Sequence, residues 1–241
     1  METLQERKEN PGRTLKKQLD RAGSAHTPVP GAKQSVDKPL AYRLTKRTFD
    51  ILFSLLAISV FLLPGVILAL IIGLQTKANP IYTQDRVTYR GKIFKIAKFR
   101  SMVADSDDVE KYLSPKQMMI WRRERKIDQD PRVTRLGKWL RATSLDELPQ
   151  FINVLLGDMS IVGPRAVTED ELKWFGTDRG LLLSMRAGMT GLWQTGERNG
   201  ATFVTGERQR IELEYVRKAC FLLDLTIIWK TVFVMLNKTG E

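Results

Sequence analysis

The sequence is almost without histidine and cysteine. Its one histidine is His26 and its one cysteine is Cys220. A lone cysteine excludes an intrachain disulfide and fits a reducing setting for the water-exposed part. A lone histidine in a polar stretch excludes a multi-histidine metal site. Acid–base work is left to carboxylates, lysine or tyrosine. No GxxxxGK[ST] and no GxGxxG occurs, which removes P-loop and Rossmann phosphate sites. No RNP, helix-turn-helix or zinc-finger pattern is present either, so no nucleic acid partner is expected. There is no internal repeat. Negative charge is scarce: 27 Asp and Glu face 39 Lys and Arg, a net charge of +12. Such an excess calls for an anionic partner, whether lipid, nucleic acid or a phosphate-rich substrate.

The charge is uneven. Residues 1–47 hold 11 basic and 5 acidic side chains, whereas residues 48–76 hold Asp50 alone. Residues 1–40 are rich in Lys, Arg, Gly, Pro, Ser and Gln and poor in large apolar residues, which predicts a disordered leader. They contain no apolar stretch of the secretory type.

The uncharged block Ile51–Leu74 reads ILFSLLAISVFLLPGVILALIIGL. At about 1.5 Å per residue, a helix of this length crosses a hydrocarbon core of roughly 30 Å. It lacks a polar stripe for water, so membrane insertion is expected. Pro64-Gly65 falls in its middle, and proline removes a backbone hydrogen bond and clashes with the preceding turn. Lys46 and Arg47 precede the block and Lys77 follows it. Positive residues favour the cytoplasmic side. A helix–break–helix hairpin at residues 46–76, turning at Pro64, satisfies both ends; a single span satisfies only one.

Residues 77–241 are predicted to form a cytoplasmic domain. Alternation around Tyr89-Arg90-Gly91 predicts a β hairpin. Helices are expected over 109–126, 136–140 and 151–156. A last amphipathic helix is expected over 213–236, lying in the membrane interface with Trp229 as anchor or packed on the core.

The densest chemical motif is Thr143-Ser-Leu-Asp-Glu-Leu-Pro-Gln150. Pro149 and the Ser144/Glu147 capping-box spacing place Asp146 and Glu147 at a helix N-terminus, where the dipole favours negative charge. Around it lie Lys98-Phe-Arg-Ser-Met102, Asp130-Pro-Arg132, Arg141, Gly157-Asp-Met-Ser-Ile-Val-Gly-Pro-Arg165 and Gly188-Met-Thr-Gly-Leu-Trp-Gln194. Glycine and proline beside Arg and Lys suit a diphosphate pocket, since backbone approaches closely and cations meet phosphate oxygens.

In this order, these motifs, with Lys46-Arg47-x-Phe49-Asp50 and Asp224-Leu, resemble the bacterial sugar transferase family, the monotopic polyprenyl-phosphate phosphoglycosyl transferases. The resemblance runs from about Lys46 to Val234. It implies a mainly α fold with a small β hairpin, a re-entrant broken helix and interfacial amphipathic helices, at the bacterial inner membrane with the catalytic domain on the cytoplasmic face. It implies transfer of a hexose-1-phosphate from a UDP-sugar to undecaprenyl phosphate, the first step of exopolysaccharide, capsule or O-antigen-type assembly. Asp146 would be the nucleophile and a ligand of Mg²⁺, with Glu147 beside it. Lys98, Arg100, Arg141, Arg165, Asp158 and Gln194 would bind substrate. A homo-oligomer is compatible with it. The chain departs from the family pattern at Leu63, where serine is usual before the proline, at Ala166, where a second proline is usual, and at Cys220, a frequent serine position that reads as a packing residue rather than a nucleophile. Two alternatives stand beside this reading. They are a non-catalytic membrane scaffold of the same fold, against which both acidic residues count, and a basic membrane-anchored nucleic-acid binder.

Overall fold

The computed structural model describes residues 36–124, 127, 129–196, 203 and 205–236. All belong to one compact unit, Gly31–Glu241. The expected leader, apart from its last residues, lies outside the described residues.

Helix α1 spans Leu40–Thr76, 37 residues. Lys77 ends it in the left-handed conformation, and its N–H returns to Gly73 O. Pro64 lies inside α1, and the helix is assigned without interruption through it. The expected break between two helices is therefore absent as a gap in helical structure. The bond lost at Pro64 is one among many, and the turns on either side keep theirs.

The buried residues of α1 keep to one face. Asp50, Ser54 and Ala57 are buried on the first arm, and Ile72 on the second, with Leu68 and Ala69 packed beside it. At 3.6 residues per turn these positions project in similar directions. Both arms thus rest one face on the body, whereas residues 59–64 between them are all exposed. Phe61 lies on the buried azimuth yet is 39% exposed.

The first arm is fixed by polar contacts. Arg47 donates to the carbonyls of Val154 (2.7 Å) and Leu155 (2.8 Å). These belong to the last turn of α5 (Gln150–Leu156, defined by its stop at Gly157, φ 88°), where carbonyls lack helical partners. The buried Asp50 carboxylate accepts from Ile161 N–H (2.9 Å) and Ser160 Oγ (3.0 Å). Asp224 accepts from Lys46, Tyr42 and Tyr215 at 2.7–2.9 Å.

Strands β1 (Ile81–Val87) and β2 (Ile93–Phe99) form the expected hairpin, with Ile81 opposite Phe99 and Val87 opposite Ile93. Its turn carries Arg90 (φ 58°) and Gly91 (φ 80°). Two short helices follow, α2 (Val109–Tyr112) and α3 (Pro115–Glu124), where the sequence predicts one. Pro115 starts the second, because proline suits a first turn and not an interior. Helix α4 covers Arg135–Ala142.

A second sheet was not expected. Strands β3 (Met159–Val162) and β4 (Ala187–Thr190) pair in parallel and sit in the core, every β3 residue being buried. Short helices α6 (Glu169–Leu172) and α7 (Arg179–Leu182) lie in the crossover between them. The sequence hides this sheet because a fully buried strand shows no polar alternation. Gly163 and Gly188 let the two segments touch, since a Cβ on Gly188 would lie 2.1 Å from Gly163 N.

The expected helix 213–236 is two helices, α8 (Glu207–Lys218) and α9 (Phe221–Leu236). Ala219 adopts extended dihedrals between them. Cys220 stands exposed at that junction, which corrects its reading as a packing residue. Helix α9 buries Asp224 and Ile227 and exposes Phe221, Leu222, Leu225, Trp229, Val232 and Phe233. One face therefore packs on the core while the other is apolar and bare.

The main core gathers β3, β4, α8 and the inner face of the hairpin around Met159, Val162, Leu181, Tyr215 and Ile227. A smaller cluster joins Ile72 of α1, Phe99 of β2 and Leu140 of α4, with Leu145 and Leu148 against it.

Candidate active site

A cleft of about 720 Å³ opens beside this smaller cluster. Strand periodicity builds one wall. Tyr82, Gln84 and Arg86 alternate onto one face of β1, and Lys98, paired with Tyr82, shares it. Arg100, Ser101 and Met102 continue the wall past β2. Helix α4 supplies Arg141, and the 3₁₀ turn Leu145–Glu147 supplies Asp146 and Glu147.

Close packing sets the angle between these walls. Thr134 caps α4 by accepting from Gly137 N–H, and a Cβ on Gly137 would fall 1.8 Å from Ser101 O. Only glycine lets α4 lie this close. Arg141 Nε then reaches Ser101 Oγ at 2.9 Å. On the outer side, the buried pair Asp130–Arg132 (2.6 Å) is held by Arg132 donating to Ser106 O at 3.0 Å.

Asp146 and Glu147 precede α5 rather than forming its first turn. Ser144 is left-handed (φ 55°) and makes no capping hydrogen bond, so the expected capping box does not form. Glu147 instead meets Lys98 Nζ at 2.6 Å. Asp146 is 8% exposed. Burial pushes its carboxyl up to about 6, further helped by Glu147 and opposed by Lys98 and Arg141. Above that value it is an ionised carboxylate in a poorly hydrated site, chemically able to serve as an oxygen nucleophile.

The cleft divides electrostatically. Lys98 and Arg141 act on the charge of Asp146. Arg100 stands nearby, stacked on Tyr82 and donating to Asn79 O at 2.8 Å. Arg165 lines the cleft elsewhere, over the Trp193 ring with Arg208. Two sequence-predicted residues do not line it. Asp158 pairs with Lys92 at 2.6 Å, on the hairpin-turn side, because Gly157 reverses the chain before it. Gln194 is buried with its Oε1 beside Gly191, while its neighbour Trp193 faces the cleft. Sequence reasoning missed Arg86, Trp193 and Arg208. The alternation of Tyr82, Gln84 and Arg86 was the available signal for Arg86; Arg208 had none.

Among the described residues no group of three or more His, Cys, Asp or Glu side chains is placed to hold a metal. The adjacent carboxylates Asp146 and Glu147 still suit a hard cation that takes one or two protein oxygens and completes its shell from phosphate and water, the habit of Mg²⁺.

The sequence profile of the family described as bacterial sugar transferase matches residues 41–238. The chain is 41% identical over 201 residues to the UDP-galactose-lipid carrier transferase of Erwinia amylovora, covering 82% of this chain and 42% of that protein. It is 40% identical over 201 residues to the undecaprenyl-phosphate galactose phosphotransferase of Salmonella typhimurium, with the same coverage of each chain. To the exopolysaccharide production protein ExoY of Sinorhizobium fredii it is 39% identical over 193 residues, 78% of this chain and 84% of that one. The chain therefore spans about two fifths of the first two proteins and most of the third.

Proposed function

This chain belongs to the bacterial sugar transferase family, and we propose that it moves a hexose-1-phosphate from a UDP-sugar to undecaprenyl phosphate. The observation that carries this reading is the meeting of Asp146 and Glu147 with Lys98, Arg100 and Arg141 in one cleft. The names of the relatives from Erwinia and Salmonella agree with it. The product would begin an exopolysaccharide, capsule or O-antigen-type glycan.

The reaction proceeds in two displacements. An ionised oxygen of Asp146 attacks the sugar-bearing phosphorus, the bond from that phosphorus to UMP breaks, and UMP leaves with the electron pair. An oxygen of undecaprenyl phosphate then attacks the same phosphorus, and the Asp146 carboxylate is released. A covalent carboxyl phosphate lets two bulky substrates use one site in turn. Lys98 and Arg141 neutralise charge that grows on the phosphoryl oxygens. Glu147, fixed by Lys98, orients the turn that carries Asp146. Mg²⁺, held by Asp146 with Glu147 near, would supply further neutralisation of the diphosphate.

The reading places the exposed apolar stretch of α1 in the cytoplasmic leaflet of the inner membrane as a re-entrant element. Two observations support re-entry over a span: both arms lie on the same body by the same face, and residues 59–64 between them are exposed. The bare apolar face of α9 would lie in the interface. The test is UMP release from a panel of UDP-sugars with undecaprenyl phosphate in detergent or nanodiscs. Release with no UDP-sugar would defeat the reading. Cysteine labelling before residue 40 in sealed vesicles decides topology, since labelling from outside defeats re-entry.

A further inference from the structure

The cationic residues at the far end of the cleft are not used by the chemistry at Asp146. Arg86 lies four residues along β1 from Tyr82, the partner of Lys98. At about 3.3 Å per residue the two positions are roughly 13 Å apart along the sheet. Arg165 lines the cleft with Arg86, and Arg208, outside that lining, lies close enough to feel the charge of both. Arg208 lies against two aromatic rings, 4.3 Å from the Trp193 centroid and 3.9 Å from that of Phe203. Stacking of this kind fixes a guanidinium plane and leaves its edge to donate.

Arg86 spends its Nη1 on Ala166 O and Glu171 and its Nη2 on Gln84 Oε1, but other donors of the three are unspent. Arg86 Nε, Arg165 Nε, and Arg208 Nε and Nη2 are buried and have no hydrogen-bond partner among the described residues. Each buried donor left unpaired costs about 1–3 kcal/mol. The acidic groups do not balance the cluster. Glu171 is engaged by Arg86 at 2.9 Å. Glu212 is fully buried, accepts from Arg165 N–H at 3.0 Å, and is pushed by burial up to about 7, so near neutrality it is partly protonated. Among the described residues, the three guanidiniums therefore face Glu171 and a Glu212 that is only partly ionised. Buried surplus charge of one sign is stable only with a counter-charge.

We propose that Arg86, Arg165 and Arg208 form a second anion subsite, which takes a phosphate or carboxylate group other than the phosphate under attack. This rests on the cleft being the transferase site. The cations that act most on the charge of Asp146 are Lys98 and Arg141, not these three, so the subsite is set apart from the phosphate under attack. Two sources of an oxyanion besides the nucleotide's own phosphates fit it. One is the phosphate of the lipid acceptor, waiting before its displacement. The other is an acidic group on the transferred sugar, such as a hexuronate carboxylate.

The test is a ³¹P NMR titration of the full chain in phosphatidylcholine nanodiscs with inorganic phosphate as probe. Wild type should bind two equivalents. Arg208→Gln, checked for folding by circular dichroism, should lose one, with at least a tenfold weakening. If Arg208→Gln does not fold, Arg208→Lys, which keeps the charge and loses the fork, should weaken that site at least threefold. Two equivalents at wild-type affinity in either folded variant overturn the subsite. Competitors name the source. Displacement of the Arg208-dependent phosphate by undecaprenyl phosphate assigns the acceptor. Displacement by UDP-glucuronate and not by UDP-glucose assigns an acidic sugar. Displacement by UMP or UDP-glucose, or by none of these, overturns the proposal. Asp146→Asn should retain the Arg208-dependent equivalent. If that variant still transfers sugar, the catalytic reading fails separately from this one.

Discussion

Lys98 Nζ lies 2.6 Å from Glu147 Oε1, so strand β2 is tied directly to the turn that carries Asp146. The lysine thereby has two effects on one neighbour: it fixes the backbone under Asp146 and lowers the proton affinity of its carboxyl.

Replacing Lys98 by Met should raise the apparent pKa of Asp146 above its present value of about 6. On the proposed mechanism Asp146 attacks only when ionised, so UMP release should rise with pH through that value in wild type and at higher pH in the variant. The plateau rate should fall on the order of a hundredfold, as when one donor to a developing charge is lost. An unmoved pH profile would show that Lys98 does not act on Asp146.

Asp146→Asn should abolish both transfer and any labelled phosphosugar adduct, while making the fold more stable. Burial raises this group from 3.8 to about 6, so folding disfavours its ionised form by on the order of 2–3 kcal/mol. That destabilisation is complete above about pH 6 and vanishes below about pH 4. The variant should therefore exceed wild type in unfolding free energy at pH 7.5 and match it near pH 4. Equal stability at both values would contradict the burial of the charge.

Gly137→Ala should destabilise the protein by roughly 1–3 kcal/mol or more, since its methyl would fall on Ser101 O. Because α4 must then move away, Arg141 should lose Ser101 and transfer should drop with it. Chemical denaturation and UMP release, measured on the same preparation, check both effects.

Asp224→Ala takes from part-buried Lys46 the carboxylate it is bonded to. Removing one member of such a pair costs roughly 3–5 kcal/mol. Asp224→Ala combined with Lys46→Met should recover part of that loss. Thermal unfolding of both single variants and the pair forms the double-mutant cycle, and strict additivity would argue against a direct link.

The apolar run that forms α1, the hairpin and the acidic pair that lines the cleft were legible because each rests on a local signal: an uncharged stretch, alternation, and a motif. Local signals failed where distant chain decided the outcome. Glu147 has capping-box spacing from Ser144, yet Lys98, nearly fifty residues away, claims it. The parallel β3–β4 pair leaves no pattern because burial on both faces removes alternation. Asp158 sits in a motif with Arg165, but the left-handed Gly157 sends it to Lys92. Arg208 carries no motif at all, and only folding brings it to Trp193.

Ile72, fully buried, forms a joint hydrophobic seat with Phe99 and Leu140 directly beneath the acidic turn. The long apolar helix and the body that carries the cleft are therefore not separable modules. Removing residues 1–76 to obtain a water-soluble fragment would strip the floor from the cleft. A change on the inner face of the second arm would likewise reach the turn that carries Asp146 through Phe99, Leu140 and Leu145.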